Sequence, residues 1–355
     1  MPPVLPSRVL KAAALVGSGL ASYARTQRAG EATILTFHGL CKGAGDPDIL
    51  DWSLHLPVDV FKDTCALLAE DYHVISLEEL VTAHINRLSL PENSVVLTFD
   101  DGYASNYELA YPILRKYHLP ATVFVTTGFL DGEDMLWFQR VDLALGRTRK
   151  ESIEWKINGC RLPLSFESRE ARQQSMVRLM PELKELSDAD LLNEIQRLEH
   201  ELEVAVPTRD NMPEPMRPLT WDMARAMSNS GLVALGGHTH THPILSHCDA
   251  LAMRAEITSC YQRIFRETGI RPASFSYPNG HAEDYTRETL QMVTEAGFQC
   301  ACTMVNGRIG PHTSLLQLPR YGSPESVWEA EATVSGAFET FKQWRQSCLR
   351  AVSLI

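Results

Sequence analysis

Cysteine is scarce in this sequence and basic charge is in deficit. Eight cysteines are scattered over 355 residues without a CxxC pair, so we expect neither a dense disulfide framework nor a paired-cysteine metal site. Their expected state is that of buried, reduced thiols. The formal net charge of −11 argues against a nucleic-acid partner, because proteins that bind phosphate backbones usually present a basic face.

The chain also lacks an apolar run long enough to cross a bilayer, which takes about 20 residues. Residues 8–24 (RVLKAAALVGSGLASYA) imitate a signal peptide, but the small residues at 17–19 interrupt the apolar part. As a helix, this stretch would place four apolar residues on one stripe: Val9, Ala13, Val16 and Leu20. We therefore expect an amphipathic segment over residues 1–32 in a cytoplasmic protein, with peripheral membrane contact through residues 7–24 and export as the alternative.

From residue 33 onward, short apolar stretches alternate with helical ones. The predicted strands are 33–40, 72–77, 94–102, 121–128, 231–243, 273–280, 298–305 and 315–322. Strand–helix alternation indicates parallel strands joined by crossover helices, and about eight such strands favour a β/α barrel over an open sheet. We predict an α/β fold, with the barrel built from residues 33–130 and 215–325.

One block breaks the alternation. Residues 131–214 have few strand signals, and Ser187 and Asp190 open a helix there as a capping box. Apolar residues repeat at helical spacing behind them: Leu191, Ile195, Leu198 and Leu202. We predict a helical insertion on a barrel loop, with a separate small domain as the alternative, and a C-terminal helix over residues 326–355.

Two adjacent carboxylates, Asp100 and Asp101, follow the predicted strand VVLTF, and His238 and His242 follow the strand GLVAL. Catalytic side chains of β/α barrels collect at such carboxyl ends. Asp101 with the two histidines would offer one carboxylate oxygen and two imidazole nitrogens, which suits zinc or a neighbouring divalent metal. Either motif alone is more often a turn or a pair of unrelated histidines, but both are predicted at the same end of the sheet. His240, between the two histidines, is expected to be structural.

The strand pleat turns successive residues to opposite faces, so Asp100 and Asp101 can both reach one site only if the strand ends there. Gly102 permits such an ending. In this hypothesis Asp101 binds the metal, while Asp100 takes a proton from water as general base. A divalent cation would offset the repulsion between the two carboxylates.

The segments TFDDGY, HTHTHP and FSYPNG, in this order and spacing, resemble the first three motifs of the NodB-like polysaccharide deacetylases, carbohydrate esterase family 4. The resemblance covers roughly residues 33–130 and 215–322 and implies a distorted (β/α) barrel of the NodB type. It also implies a divalent metal, zinc first, with cobalt, nickel or manganese as alternatives. Carried over residue by residue, it assigns one base and three metal ligands: Asp100, Asp101, His238 and His242.

Two motifs depart from the usual pattern of that family. FSYPNG has Ser276 where an arginine normally braces the base, and Arg320 in LLQLPRYG is our candidate substitute. The late LxxH motif is missing from the last strand but occurs on the first, as Leu35-Thr36-Phe37-His38. This arrangement resembles a permuted branch that includes biofilm poly-N-acetylglucosamine deacetylases, and first and last strands of a closed barrel are neighbours. We assign His38 as general acid, with a structural histidine as the alternative.

The leading hypothesis is therefore a metal-dependent hydrolase that removes acetyl groups from N-acetylated sugars of a polysaccharide or its precursor. The alternatives are a catalytically inactive glycan-binding barrel and a phosphoryl-transfer enzyme, although no GxxxxGK[ST] loop supports the latter. The expected partner is an acetylated glycan. Related deacetylases often act on exported glycans, and a lipid-linked or cytosolic precursor would reconcile that with a cytoplasmic location. Candidate sugar-contacting residues are Tyr103, Tyr277, Asn279 and Arg320, with Trp137 and Tyr321 as further aromatics. For most of the four aromatic residues, packing in the core is the stronger interpretation.

Overall fold

The computed structural model describes residues 7–28, 30–43, 45–132 and 135–352. Parts of three predicted segments lie outside the described residues, namely 1–6 and 29 of the N-terminal segment, 133–134 of the insertion and 353–355 of the C-terminal helix. Residue 44 of the predicted barrel also lies outside them.

The main sheet is parallel and places its strands in the order β1-β5-β6-β9-β10-β11, with β4 beside the start of β5. The described strands are β1 (Ala32–Phe37), β2 (Gly39–Cys41), β3 (His55–Pro57), β4 (His73–Val74), β5 (Ser94–Phe99), β6 (Ala121–Val125), β7 (Ser152–Ile157), β8 (Cys160–Ser165), β9 (Val233–Gly237), β10 (Ser274–Ser276) and β11 (Cys300–Cys302). Every residue of β1, β5 and β6 is buried, as expected for parallel strands covered on both faces.

The sheet curls until a short segment connects its last strand to its first. Leu318 pairs with Cys302 of β11, and Tyr321 pairs with Leu35 of β1. The predicted strand over residues 315–322 is therefore a pair of single-residue bridges and not a regular strand. Pro319 explains this difference, because it has no amide hydrogen to donate to a ladder. The prediction of a distorted α/β barrel is confirmed.

Helices cover the outside of the sheet and fill the connections between its strands. They are α1 (Ser7–Gly17), α2 (Leu20–Thr26), α3 (Val58–Asp71), α4 (Leu77–Asn86), α5 (Tyr111–Tyr117), α6 (Thr127–Asp131), α7 (Trp137–Arg147), α8 (Arg169–Lys184), α9 (Asp188–Glu201), α10 (Trp221–Ser228), α11 (Ala250–Thr268), α12 (Arg287–Ala296), α13 (Val327–Val334) and α14 (Ala337–Val352). No helix in the described ranges is both long and apolar enough to cross a membrane.

Three phenylalanines fix the strand ends that matter most for the site. Phe37 ends β1 and Phe99 ends β5, and both pack against Phe61 of α3 with ring centroids 5.1 and 5.6 Å apart. All three side chains are fully buried. Edge-to-face packing of this kind holds aromatic pairs in a defined geometry. The residues that follow them, His38 and Asp100, therefore leave the sheet from rigid positions.

Residues 131–214 contain a β-hairpin as well as helices. β7 and β8 pair antiparallel around Asn158 and Gly159, which both have positive φ (50° and 75°). Asn-Gly between two strand-forming stretches is the strongest short hairpin signal in a sequence. The hairpin shares a core with α7, α8 and α9, and a buried pair joins Arg140 to Glu199 at 2.7 Å.

The two ends of the chain form a helical layer together. Ala12 and Leu15 of α1 are buried against Ala332 and Ala337 of the C-terminal helices. Residues 326–352 form two helices where one was predicted, because Gly336, with φ 82°, reverses the backbone between them. Of the predicted apolar stripe, Val9 is buried, whereas Ala13, Val16 and Leu20 are half-buried.

Candidate active site

The five residues predicted to act together lie around one pocket at the carboxyl ends of the strands. They are His38, Asp100, Asp101, His238 and His242. His38 directly follows β1, the two aspartates follow β5, and His238 follows β9. Because β1, β5, β6 and β9 are consecutive in the sheet, chain segments some 200 residues apart in sequence meet at one edge.

Asp101, His238 and His242 form a buried group that could hold a metal ion. The Nε2 atom of each histidine lies 3.4 Å from Oδ1 of Asp101, and one potential ligand atom from each residue lies within 4.8 Å of the others. The buried Oδ2 of Asp101 has no hydrogen-bond partner among the described residues. Two imidazoles and one carboxylate suit zinc and its neighbours better than magnesium, which prefers oxygen ligands.

Hydrogen bonds and electrostatic interactions favour the orientation and protonation states that these groups need to bind a cation. Nδ1 of His238 lies 2.7 Å from the carbonyl oxygen of Ser276, to which it can donate, leaving the Nε2 lone pair directed at the site. Burial and the neighbouring His238 lower the pKa of His242 to about 4, so its imidazole is neutral at neutral pH. Burial alone would raise the pKa of Asp101, but its hydrogen bond to His238 and its electrostatic interaction with His242 hold that pKa below its ordinary value.

Three residues at the site have left-handed backbone conformations. Asp101, Thr239 and His242 have φ values of 71°, 65° and 68°, which cost energy for residues with a side chain and cluster at functional sites. The turn at Asp101, followed by Gly102, ends the strand pleat and lets both aspartates reach the pocket. Residues 238–242 form a loop after β9, which we call the histidine loop. Within it, the amide of His242 donates to Oγ1 of Thr239 at 3.0 Å.

A carboxylate that the sequence did not reveal holds the histidine loop. Glu256, on α11, accepts hydrogen bonds at 2.8 Å from the amides of His240 and Thr241 and from the Thr241 hydroxyl. The His240 ring lies 2.9 Å from the Thr127 hydroxyl, and His240 is not among the residues that line the pocket. The sequence does not reveal Glu256, because the pattern of a helix does not indicate which of its polar acidic residues will bind the backbone of a distant loop.

Arg320 braces Asp100. Its guanidinium donates to both carboxylate oxygens, at 2.9 and 2.7 Å, and to the hydroxyl of Ser276 at 2.9 Å. Burial alone would raise the pKa of Asp100, but the Arg320 charge and hydrogen bonds hold that pKa below its usual range. Arg320 is fully buried, so its place in the structure is beside Asp100 and not on a sugar-binding surface.

The remaining sugar-contact candidates divide into two groups. Tyr103, Trp137 and Asn279 line the pocket. Tyr277 instead stacks on Tyr285 with ring centroids 4.4 Å apart and donates to a backbone carbonyl, and the Tyr321 hydroxyl donates to Glu339. The latter two tyrosines therefore pack away from the pocket.

Several pocket residues were not anticipated. His55 of β3 is buried, and burial together with the charge of His38 lowers its pKa to about 4. Its ring lies so close to Gly39 that a Cβ there would sit 2.4 Å from Nδ1. Asp142 of α7 binds the amides of Leu50 and Asp51 at 2.7 and 3.2 Å. These contacts join chain segments far apart in sequence, so no local pattern indicates them.

The insertion supplies one wall of the pocket. Met176, Met180 and Lys184 recur every four residues along α8 and all line it, as residues on one helix face must. Phe138 of α7 lies edge-on to His242, with ring centroids 5.3 Å apart. The pocket beside the carboxylate–imidazole group is therefore lined by both the barrel and the insertion.

Fold and site together define an α/β barrel protein with a buried carboxylate–imidazole group at its strand ends. The family model for polysaccharide deacetylases matches residues 87–301, more than half of the chain, and the chain belongs to that family. The resemblance inferred from its motifs is confirmed. His38 and Arg320 both lie outside the matched range, and their places in the pocket come from the structure alone.

Individual relatives support the same family. The chain is 35% identical over 85 residues to the poly-beta-1,6-N-acetyl-D-glucosamine N-deacetylase of Staphylococcus aureus and 30% identical over 105 residues to YxkH of Bacillus subtilis. The matches cover 24% and 29% of this chain and 28% and 35% of those proteins. The chain thus matches about a third of the length of its curated relatives.

Solved structures share the fold. The Streptococcus pyogenes deacetylase PplD, in complex with acetate, superposes with a TM-score of 0.55 at 19% identity, covering 86% of this chain and 98% of that one. The deacetylase domain of BpsB from Bordetella bronchiseptica gives 0.50 at 19% identity, covering 82% and 96%.

Proposed function

We propose that the protein is a metal-dependent deacetylase that hydrolyses the acetyl amide of N-acetylated sugars in a glycan or a glycan precursor. The observation that carries the proposal is one pocket that holds Asp101, His238 and His242 beside an arginine-braced Asp100. Membership of the polysaccharide deacetylase family and the similarity to a staphylococcal poly-N-acetylglucosamine deacetylase support this substrate class.

The chain's own side chains account for the proton transfers. Asp101, His238 and His242 would hold a divalent cation, which supplies Lewis-acid polarisation of the acetyl carbonyl and of water. Asp100 accepts a proton from the attacking water, whose oxygen bonds to the acetyl carbon. The carbon–nitrogen bond then breaks, and His38 gives a proton to the departing sugar amine, so that acetate and a free amine result.

Arg320 separates this proposal from an inactive glycan-binding barrel. Loss of the usual third-motif arginine at Ser276 would leave the base without a charged partner. The bidentate contact between Arg320 and Asp100 supplies that partner from another segment and matches the fork geometry of a strong charged pair. This contact supports an active enzyme over an inactive barrel.

Acetate release tests the proposal. The purified protein is stripped with a chelator, reloaded with Zn²⁺, Co²⁺, Ni²⁺ or Mn²⁺, and assayed on N-acetylated β-1,6-linked glucosamine oligosaccharides, with chito-oligosaccharides and O-acetylated xylan for comparison. We expect release from an N-acetylated substrate that chelation abolishes and metal restores. Binding of these glycans without release by any metal-loaded form would instead establish the inactive barrel.

A cytoplasmic location is a further part of the proposal, with a lipid-linked or soluble precursor as substrate. Two observations support it. The described cysteines are free, and five of the seven are buried. Helix α1, which a signal peptidase would remove, packs against the C-terminal helices, and Arg8 pairs with the buried Glu329.

A further inference from the structure

An exposed tryptophan, two half-buried phenylalanines and several basic side chains adjoin one another on the helical layer made by the two chain ends. Trp344 is 64% exposed and lies beside Phe341, with ring centroids 6.1 Å apart. Lys11 of α1 lies over the Phe338 and Phe341 rings at 5.6 and 5.2 Å. Cation–π contacts thus join α1 to α14 in one continuous patch, which we call the terminal surface: Arg8, Lys11, Phe338, Phe341, Lys342, Trp344 and Arg345.

The charge of this surface is opposite to that of the whole chain. The protein carries a formal charge of −11, yet the terminal surface contains four basic residues, of which only Arg8 has an ion pair with a described acidic side chain, Glu329. Lys342 and Arg345 flank Trp344 on α14, and both are exposed. An acidic protein is repelled as a whole by anionic surfaces, so a basic patch of this kind gives it one face that can approach them.

The combination of rings and cations identifies the partner. Tryptophan is enriched at the boundary between lipid tails and headgroups, because its body is apolar and its N–H is polar. Lysine and arginine beside it attract anionic headgroups. We propose that the terminal surface docks the protein peripherally on an anionic phospholipid membrane. A second copy of the chain is a poorer partner, because a symmetric pair would bring the same cations together.

The proposal goes beyond deacetylation and does not depend on it. A peripheral surface needs only exposed rings and cations, and both lie on helices whose other faces are fixed to the protein. Tyr321 holds Glu339 of α14 at 2.7 Å, and Ala12 of α1 is fully buried. Substitution of exposed residues on these helices should therefore leave the fold intact.

Vesicle flotation tests the docking. The full chain is mixed with vesicles of phosphatidylcholine alone, or with about 30 mol % phosphatidylglycerol added, and the floated fraction is measured. A triple variant, Trp344→Ser with Lys342→Glu and Arg345→Glu, is compared with a control, Leu251→Ser, which removes a side chain that is 82% exposed on α11. Circular dichroism and thermal melts check that both variants fold.

We expect the wild type and the control to float with anionic vesicles about tenfold better than with neutral ones, and added salt to reduce that binding. The triple variant should lose most of it. Equal flotation with both vesicle types, no flotation of the wild type, or full binding by the triple variant would each overturn the proposal. A wild-type dimer in light scattering that the triple variant abolishes would assign the surface to a second copy.

Discussion

Asp100 and Asp101 are adjacent in sequence, but their surroundings differ, and we therefore propose different roles for them. Asp101 faces two imidazoles at 3.4 Å, whereas Asp100 is held by a guanidinium at 2.7 Å. A cation bound to the first and a proton moved by the second would therefore be separable properties. The left-handed turn at Asp101 is what allows this division between neighbours.

Two substitutions test the proposed roles of Asp101 as metal ligand and Asp100 as base. Asp101→Ala should lose metal and activity together, because it removes a ligand. Asp100→Asn should retain metal and lose turnover by about 10²–10⁴-fold, because an amide cannot accept the proton. Metal analysis and acetate release are measured on both purified variants. Equal metal loss in the two would show that the carboxylate roles are assigned wrongly.

We expect Arg320 to act as a positioning residue, because it is fully buried and grips Asp100 through both carboxylate oxygens. Arg320→Lys should keep the charge but lose the fork that grips both carboxylate oxygens. We expect kcat to fall about tenfold with metal content and KM unchanged. Steady-state kinetics of the metal-loaded variant make this test. A rise in KM alone would mean that Arg320 contributes to sugar binding, contrary to its complete burial.

The buried Asp142 should make the free energy of unfolding depend on pH. Burial raises its pKa from 3.8 to about 7, although two backbone amides oppose the shift. A raised pKa means that the protonated form stabilises the fold. The contribution is complete below pH 4 and is lost as pH rises through about 7. Asp142→Asn should therefore lose less stability than the wild type between pH 4 and 8, by up to about 4 kcal/mol.

Urea unfolding at intervals across that range provides the measurement. Only the difference between the two profiles counts, because the other titrating groups contribute equally to both proteins. Parallel profiles would mean that Asp142 is ionised in the folded protein, with the amides of Leu50 and Asp51 outweighing its burial.

At the scale of elements, α8 of the insertion forms one wall of the pocket, and we expect it to contribute to substrate binding. Met180 of α8 faces the pocket and is half-buried, whereas Val177, three residues earlier, is 74% exposed. Met180→Ala should raise KM about 3- to 10-fold with kcat nearly unchanged, because it removes apolar contact made in both ground and transition states. Val177→Ala is the matched control and should behave as the wild type. A similar KM for both variants would exclude α8 from substrate binding.

The elements also show where sequence patterns suffice. β1, β5 and β6 are continuous apolar runs before polar residues, and the sequence predicts both the strands and the placement of Asp100 and Asp101 at a strand end. The segment around Pro319 is apolar too, but its pairing with β1 and β11 depends on curvature of the whole sheet. The Glu256 and His55 contacts depend on packing between distant elements, and for the same reason neither is visible in sequence.

At the scale of the whole molecule, the N-terminal segment belongs to the folded protein. Arg25 of α2 contacts Asp71 and Glu331 at 3.3 and 3.6 Å, and α1 covers Ala332 and Ala337. Removing residues 1–26 would expose this apolar surface and leave Glu329 and Glu331 buried without their arginine partners. Such losses typically lower the free energy of unfolding by a few kcal/mol, which is a large part of the stability of a domain.

We therefore expect the mature protein to keep this segment. N-terminal sequencing of protein recovered from its native host should find a start that leaves α1 intact, and a truncated form beginning at residue 27 should melt several degrees lower than the full chain. The control for the truncation is Arg8→Ala. This variant loses the ion pair with the buried Glu329 but keeps the apolar contacts of α1, so its melting temperature should fall less than that of the truncated form. A mature start near Arg25, together with an unchanged melting temperature of the truncated form, would show that α1 is a cleaved leader and that the protein is exported.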